Sequence, residues 1–548
     1  MKYLSTFLSA SLAFLLIALL APSPLKAQTV VRGPYLQKAT FDGITICWRT
    51  DVPTDSRVRY GTSIGNLTNV FQDTALVTNH FVQLTGLSPS IDYHYSVGTS
   101  SADLAGDDNI HFFSVLPPSG QPVPSRFWVI GDFGKGNAEQ KLVRDAYINE
   151  IAVTGKADGW LWLGDNAYPN GSDAEFQAYV FDSVNGYPTI FPNTTLWPTP
   201  GNHDYLSVNQ LSAPPQHTGP YFDIVDVPTN GESGGVPSGY ELYYSFDYGN
   251  VHMLSLNSEI TTWNANSNSD FFTWLNADLQ QNQLPWVVAY FHQPPHSKGS
   301  HDSDDFWEIP MSLMRTNVMP VLEQYGVDLI LSGHSHSFER SFLVEGHYSN
   351  SNNFDPNVHG VSMVSGIDSI GETYYKYTLG PNPNRGSVYA VVGNGGSKDP
   401  DGDLDHPMMY YNYGCDSCVG SLLIDVMGNR LDGTYLSGYG EKLDAFTIVK
   451  SATVAVPEAI SEVENLELFP NPFDQSLRFR VELAVEAKLK AEIFDMSGRK
   501  VYSYGLGRLD SGIHDGQLDL SSLSDGNYVF TLKTKRKRIT EVIQKQSR

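Results

Sequence analysis

The sequence predicts a chain of several domains, with an α/β layered core set between two small β-sandwich domains. Three observations predict it. The 548 residues are enough for roughly two to four domains with full-sized cores. Near both ends, short β-branched or aromatic runs are broken by Gly, Pro, Asp and Ser, without helical periodicity. Between the ends, apolar strand-like runs alternate with longer amphipathic stretches, as in a layered α/β domain.

Residues 1–27 read as a secretory signal peptide. A short basic start, Met1-Lys2-Tyr3, precedes an apolar run from Phe7 to Ala21 and a small-residue cleavage pattern ending at Ala27. That run is short for a membrane span, and no later stretch is long and apolar enough to cross, so the mature chain is expected to carry no transmembrane segment. Residues 28–116 form the first β domain, with strands expected at Gly43–Trp48, Ser56–Tyr60, Thr78–Leu84, Asp92–Val97 and His111–Val115. Residues 117–125 are a proline-rich linker.

The core spans 126–450. Helices are expected over Asn137–Ile151, Phe271–Leu279 and Ser312–Gln324, and two strands about the Gly249-Asn250 turn. Residues 349–384, rich in Asn, Gly and Pro, read as loop. Residues 451–463 read as a second linker and 464–548 as the last β domain, whose basic run Lys533–Arg538 reads as solvated surface.

A formal net charge of −25 argues against a nucleic-acid partner, because phosphate backbones call for basic surface. It does not exclude an anionic substrate, since bound cations dominate a local field. Of three cysteines, Cys47 reads as a buried thiol within a strand. Cys415 and Cys418 read as a short-loop disulfide in an oxidising compartment; a zinc site there needs two further ligands.

Five apolar runs end on side chains able to bind a metal. Phe127–Ile130 leads to Gly131-Asp132, and Trp160–Leu163 to Gly164-Asp165-Asn166-Ala167-Tyr168. Thr195–Pro200 leads to Gly201-Asn202-His203-Asp204, Trp286–Phe291 to His292, and Val327–Leu331 to Gly333-His334-Ser335-His336. Ligands collect outside the carboxyl ends of strands in open α/β sheets, so five such ends would build one site. Oxygen and imidazole donors without thiolate suit Fe, Zn or Mn, and there are enough for two ions sharing one carboxylate. Two-metal sites stabilise in-line displacement at phosphorus.

These five blocks, in this order, resemble the purple acid phosphatases, a branch of the calcineurin-like metallophosphoesterases, over roughly Phe127 to Gly396. The resemblance implies a β-sandwich core flanked by helices. Val31–Gln37 and the strands after it look like that family's fibronectin type III-like domain. Pro470–Phe473, the turn from Asp495 to Lys500 and Gly526-Asn527-Tyr528 resemble the C-terminal sorting domain of the type IX secretion system.

The resemblance also implies roles. Asp132, Tyr168 and His336 would hold a first metal, with Tyr168 as phenolate to Fe(III). Asn202, His292 and His334 would hold a second, Fe(II), Zn or Mn, and Asp165 would bridge the two. His203 and His301 would be the catalytic histidines, touching substrate and, for His203, supplying a proton or positive charge to the leaving group. Hydroxide formed at the metals would attack phosphorus, making the chain a secreted acid phosphatase acting on phosphate monoesters.

The chain departs from the family in two places. Gly134 stands where many metallophosphoesterases carry the histidine of a D-x-H block, and Asp302 stands where some relatives carry a second histidine. His296 and Lys298 are alternatives for that outer substrate contact, against a plainer reading as loop residues. His252 reads as structural. His217, His359 and His406 read as polar-loop residues, and Glu339 and Arg340 as structural pairs. Two other functions compete: a phosphodiesterase or nucleotidase on the same metals, and a surface binding protein with an inert core. Secretion machinery is the expected protein partner, and the expected location is the cell surface or the medium.

Overall fold

The computed structural model describes residues 28–208, 218–262, 269–379, 383–399, 402–452, 463–496, 499–534 and 538–547. The expected signal peptide, positions 453–462 of the second linker and His217 lie outside them. The chain divides into two compact units after Ala452.

The first unit contains two large sheets. At the centre of one, Ser125–Ile130, Gly159–Leu163 and Thr195–Thr199 run parallel and in sequence order. Antiparallel strands Gly420–Met427, Arg430–Ser437 and Lys442–Ser451 extend it on one side. On the other, Val30–Gln37 joins through Leu36 opposite Thr195 and leads into the antiparallel strands Ile44–Gly61, Asn69–Leu84 and Tyr93–Gly98. The N-terminal β region is thus continuous with the core sheet.

The second sheet starts with the hairpin Tyr244–Tyr248 and Val251–Ser255 about Gly249-Asn250. Parallel strands Trp286–Tyr290, Leu329–Ser332 and Val388–Val392 follow, then antiparallel Phe338–Ser341 and Met409–Tyr413.

Period-two alternation explains how this sheet is buried on both faces. Trp286, Val288 and Tyr290 point into a core shared with the first sheet, where Phe127 packs on Tyr248 and Trp197 on Phe246. Val287, Ala289 and Phe291 point the other way, onto Phe271 and Leu275 of the helix Asp270–Gln281. Each large apolar side chain buried this way contributes ~1.5–3 kcal/mol. The helix Ala138–Thr154 starts where Asn137 accepts the Gln140 amide at 2.9 Å.

Two expectations change. The helix expected over Ser312–Gln324 begins at Ile309, widens into a π turn over Met314–Val318 and resumes at Met319–Gln324. Pro320 has no amide proton to continue the regular ladder. The stretch read as loop over 349–384 contains helical turns at Ser351–Asn353 and Pro356–His359 and a strand at Tyr374–Tyr377, parallel to Lys442–Ser451. Cys415 and Cys418 are disulfide-bonded, and Cys47 is free and buried.

The second unit is a β-sandwich. Val463–Phe469, Ser476–Leu483 and Gly512–Asp519 form one sheet; Ala487–Asp495, Lys500–Leu509, Gly526–Lys533 and Arg538–Lys545 form the other. Alternate residues Leu477, Phe479, Val481 and Leu483 meet Leu489, Ile493, Phe530 and Leu532 in its core.

Candidate metal centre

All five blocks sit at the carboxyl ends of parallel strands, three from the first sheet and two from the second. The seven expected ligands converge there. Tyr168 Oη lies 2.9 Å from Asp132 Oδ1, 3.0 Å from Asp165 Oδ2 and 3.4 Å from His336 Nε2. His292 Nε2 lies 3.0 Å from Asn202 Oδ1, 3.2 Å from His334 Nδ1 and 3.3 Å from Asp165 Oδ1. The donors therefore fall into two sets of three, and each oxygen of Asp165 faces one set.

Backbone geometry holds this convergence. Asp132, Asp165 and His334 all have left-handed backbone, with φ of 57°, 51° and 65°. Such positions cost ~1–3 kcal/mol each and persist only where the surroundings fix them. Here the His334 amide donates to Asp132 Oδ2 at 2.8 Å, and the His203 amide to Asp165 Oδ1 at 2.8 Å. Gly164, at φ +92°, lets the Asp165 strand end lie against His292; a Cβ would sit 2.6 Å from its Nδ1. A side chain at 134 would run into the Asn166 carbonyl, so this backbone admits no D-x-H histidine there.

Hydrogen bonds choose which nitrogen each ring presents. His292 Nδ1 donates to the Leu163 carbonyl at 2.9 Å, which turns Nε2 inward. His334 Nε2 is 3.3 Å from Glu308 Oε2, which leaves Nδ1 facing His292. Burial pushes the Asp132 carboxyl well above its usual range, and neighbouring Asp165 adds to the shift. Burial opposes ionisation of Asp165 too, but His292 outweighs it and holds that carboxyl well below its usual range. Burial lowers His334 to about 4 and His336 to about 3, keeping both rings neutral, the form that binds a cation. Two buried carboxylates and a phenol sharing so small a volume fit a group of positive charge.

His203 and His301 flank this centre. His203 Nδ1 donates to the Pro169 carbonyl at 2.6 Å, its ring packs on Tyr168, and Nε2 is 3.8 Å from Asp165 Oδ2. About a third of its side chain is exposed. His301 stacks on His334 with ring centres 3.8 Å apart, and its Nδ1 is 2.6 Å from Glu308 Oε1.

Several other residues lie apart from the centre. His296 packs with His347 and His406 rather than at the centre. Lys298 pairs with Asp302 and Asp304 at 2.7 and 3.0 Å. His406, read as a loop residue, is buried, as is neighbouring Met408. Arg340 pairs with Asp444, while Glu339 accepts from Ser297.

Three site residues escaped the sequence reading. Asp204 Oδ2 accepts from Asn166 Nδ2 at 2.9 Å and from the Gly201 amide at 2.8 Å, tying two blocks together. Both Asn166 and Asp204 lie inside recognised blocks, which was the available signal. Glu308 had none: its partners are set by a loop closing over His334.

Residues 125–338 match the calcineurin-like phosphoesterase family, and residues 467–546 match the secretion system C-terminal sorting domain. The chain is similar, more particularly, to the purple acid phosphatases. It is 26% identical over 343 residues to purple acid phosphatase 15 of Arabidopsis thaliana, covering 58% of this chain and 54% of that one. It is 26% identical over 338 residues to acid phosphatase type 7 of Danio rerio, covering 55% and 69%. Among solved structures, purple acid phosphatase PPD1 of yellow lupin shares the fold, with a TM-score of 0.56 at 17% identity over 76% of this chain and 74% of that one. The chain spans 54% and 62% of the two Arabidopsis relatives purple acid phosphatases 15 and 23. Among the described residues, no helix is long and apolar enough to cross a membrane.

Proposed function

We propose that this chain is a secreted, dinuclear metal-dependent acid phosphatase that hydrolyses phosphate monoesters. The observation that carries it is Asp165, one of whose oxygens lies 3.0 Å from Tyr168 Oη and the other 3.3 Å from His292 Nε2. One carboxylate thus serves both donor sets. Asp132, Tyr168 and His336 hold the first ion, and a phenolate donor suits Fe(III). Asn202, His292 and His334 hold the second, Fe(II), Zn or Mn. When bound, the ions supply a nucleophile at acid to neutral pH and neutralise phosphate oxygens.

The side chains do the rest. Leu163 and Glu308 orient His292 and His334, so neither ring searches for its rotamer. His203 is anchored through Nδ1 on Pro169, which leaves Nε2 as the atom that gives a proton to the leaving oxygen. His301 is anchored through Nδ1 on Glu308, leaving Nε2 for a phosphate oxygen of the substrate. The expected signal peptide and the match to a sorting domain support export by secretion machinery to the surface or medium. The test is the rate on a phosphate monoester against its matching diester. Faster monoester turnover supports the reading; a preference for the diester would make the chain a phosphodiesterase.

A further inference from the structure

Away from Asp165, a second group of histidines is buried in the same unit. His296 lies in the loop after Trp286–Tyr290, His347 follows the short strand Leu343–Val344, and His406 precedes Met409–Tyr413. All three are 1–2% exposed. One ring nitrogen from each lies within 4.8 Å of the others. Ring centres are 5.1 Å apart for His296 and His347, 5.4 Å for His296 and His406, and 6.1 Å for His347 and His406.

Rings enclose this group: Tyr389 meets His296 edge-on, and Phe354 and His359 meet His347. Buried donors and acceptors are nearly always paired. Here both nitrogens of His296, both of His347 and Nε2 of His406 meet no hydrogen-bond partner among the described residues. Only His406 Nδ1 is engaged, accepting the Met408 amide at 3.2 Å. The His347 backbone is the one nearby group that favours a proton on the His296 ring; the other unpartnered nitrogens face rings.

We propose that His296, His347 and His406 bind one transition-metal cation of the zinc class, separate from the dinuclear centre. Three imidazoles without a carboxylate are the donor set of Zn or Cu, not of Ca or Mg. A tetrahedral ion with Zn–N of about 2.0–2.1 Å holds its nitrogens roughly 3.3 Å apart, so modest side-chain rotations close the group. The long Met408 contact is what His406 gives up when it turns a lone pair to the ion. Arg315, which donates to the Pro295 and Ser303 carbonyls, and Lys298 are the nearby cations, and Asp304, paired with Lys298, is the nearby anion. The ion would tie three loops distant in sequence. One of them runs from His292 to His301, so the clip fixes the loop that carries both.

The test uses the full chain, stripped by chelator and titrated with Co(II), whose visible absorption is strong in tetrahedral sites and weak in six-coordinate ones. The wild-type chain is expected to bind about three equivalents, one with tetrahedral absorption. His347→Gln and His406→Gln should each lose that one equivalent and its absorption. Asp165→Ala, which leaves this cluster unaltered, should keep it while losing the others. If Asp165→Ala binds no Co(II), or if both histidine variants fold and keep the tetrahedral signal, the proposal is overturned. A wild-type chain whose only equivalent is lost in the histidine variants would uphold it and remove the dinuclear reading instead.

Discussion

His252 and His292 lie on neighbouring strands of one sheet, are almost fully buried, and both face carboxylates. His252 stands within its strand, opposite Val287, with Nδ1 2.7 Å from Asp247 and Nε2 2.7 Å from Asp278. Both nitrogens are consumed, and the group is a closed ion cluster. His292 stands just past its strand end. A backbone carbonyl takes Nδ1, and Nε2 opens onto Asn202, His334 and Asp165. Buried histidine beside carboxylate is thus not itself a metal site. What makes one is a lone pair left over, aimed at others in the same state. Strand ends supply this, because the chain turns there and several ends share a volume.

The sharpest break of the comparison is Asp165→Ala, which should lose bound metal and turnover together, checked by elemental analysis beside activity. Next is His203→Ala, expected to retain metal but lose about 10²–10⁴-fold in kcat. The loss should be greater for alkyl than for aryl phosphates, since alkoxide needs the proton more. Unchanged turnover on an alkyl phosphate would remove His203 from that role. A smaller effect follows from Glu308→Gln, which leaves His301 and His334 without their shared carboxylate. Affinity for the second ion should fall about 10–100-fold, with the first less affected.

The mildest prediction concerns His252, and its sign is fixed by linkage. Burial disfavours its charge, but Asp247 and Asp278 outweigh burial and raise the ring to about 9 from an ordinary value of 6.5. Its contribution, roughly 3 kcal/mol, is fully present below pH 6.5 and fades as pH rises through about 9. Wild-type thermal stability should therefore decline across that window more steeply than that of His252→Gln. Metal content should be equal in the two; a variant that lost metal would blur the distinction drawn above.

The strand runs were legible because a parallel strand buried on both faces is almost wholly apolar, and glycine marks where it must stop. Asp132, Asp165, His292 and His334 could be read from that alone, and their convergence follows from the sheet. The loops carried less. Asp304 sits among other acidic residues and Glu308 between Trp307 and Ile309, neither in a periodic run, and their partners are fixed by a loop closure that the local sequence does not encode. His406 lies in a loop as expected, and its burial was hidden for a related reason. Asp403 and Asp405 make its surroundings look solvated, yet Met408 buries itself and carries the histidine inward. Pro320 was visible, but periodicity across it hid the widened turn before it.

The most direct test of the dinuclear reading is metal content with a visible spectrum on the purified full chain, beside Tyr168→Phe and His347→Gln. A dinuclear centre predicts iron together with a second metal, from which His347→Gln removes no more than the one equivalent assigned to the histidine cluster, and a broad visible band that Tyr168→Phe abolishes. A folded, colourless chain whose only metal disappears in His347→Gln would contradict it.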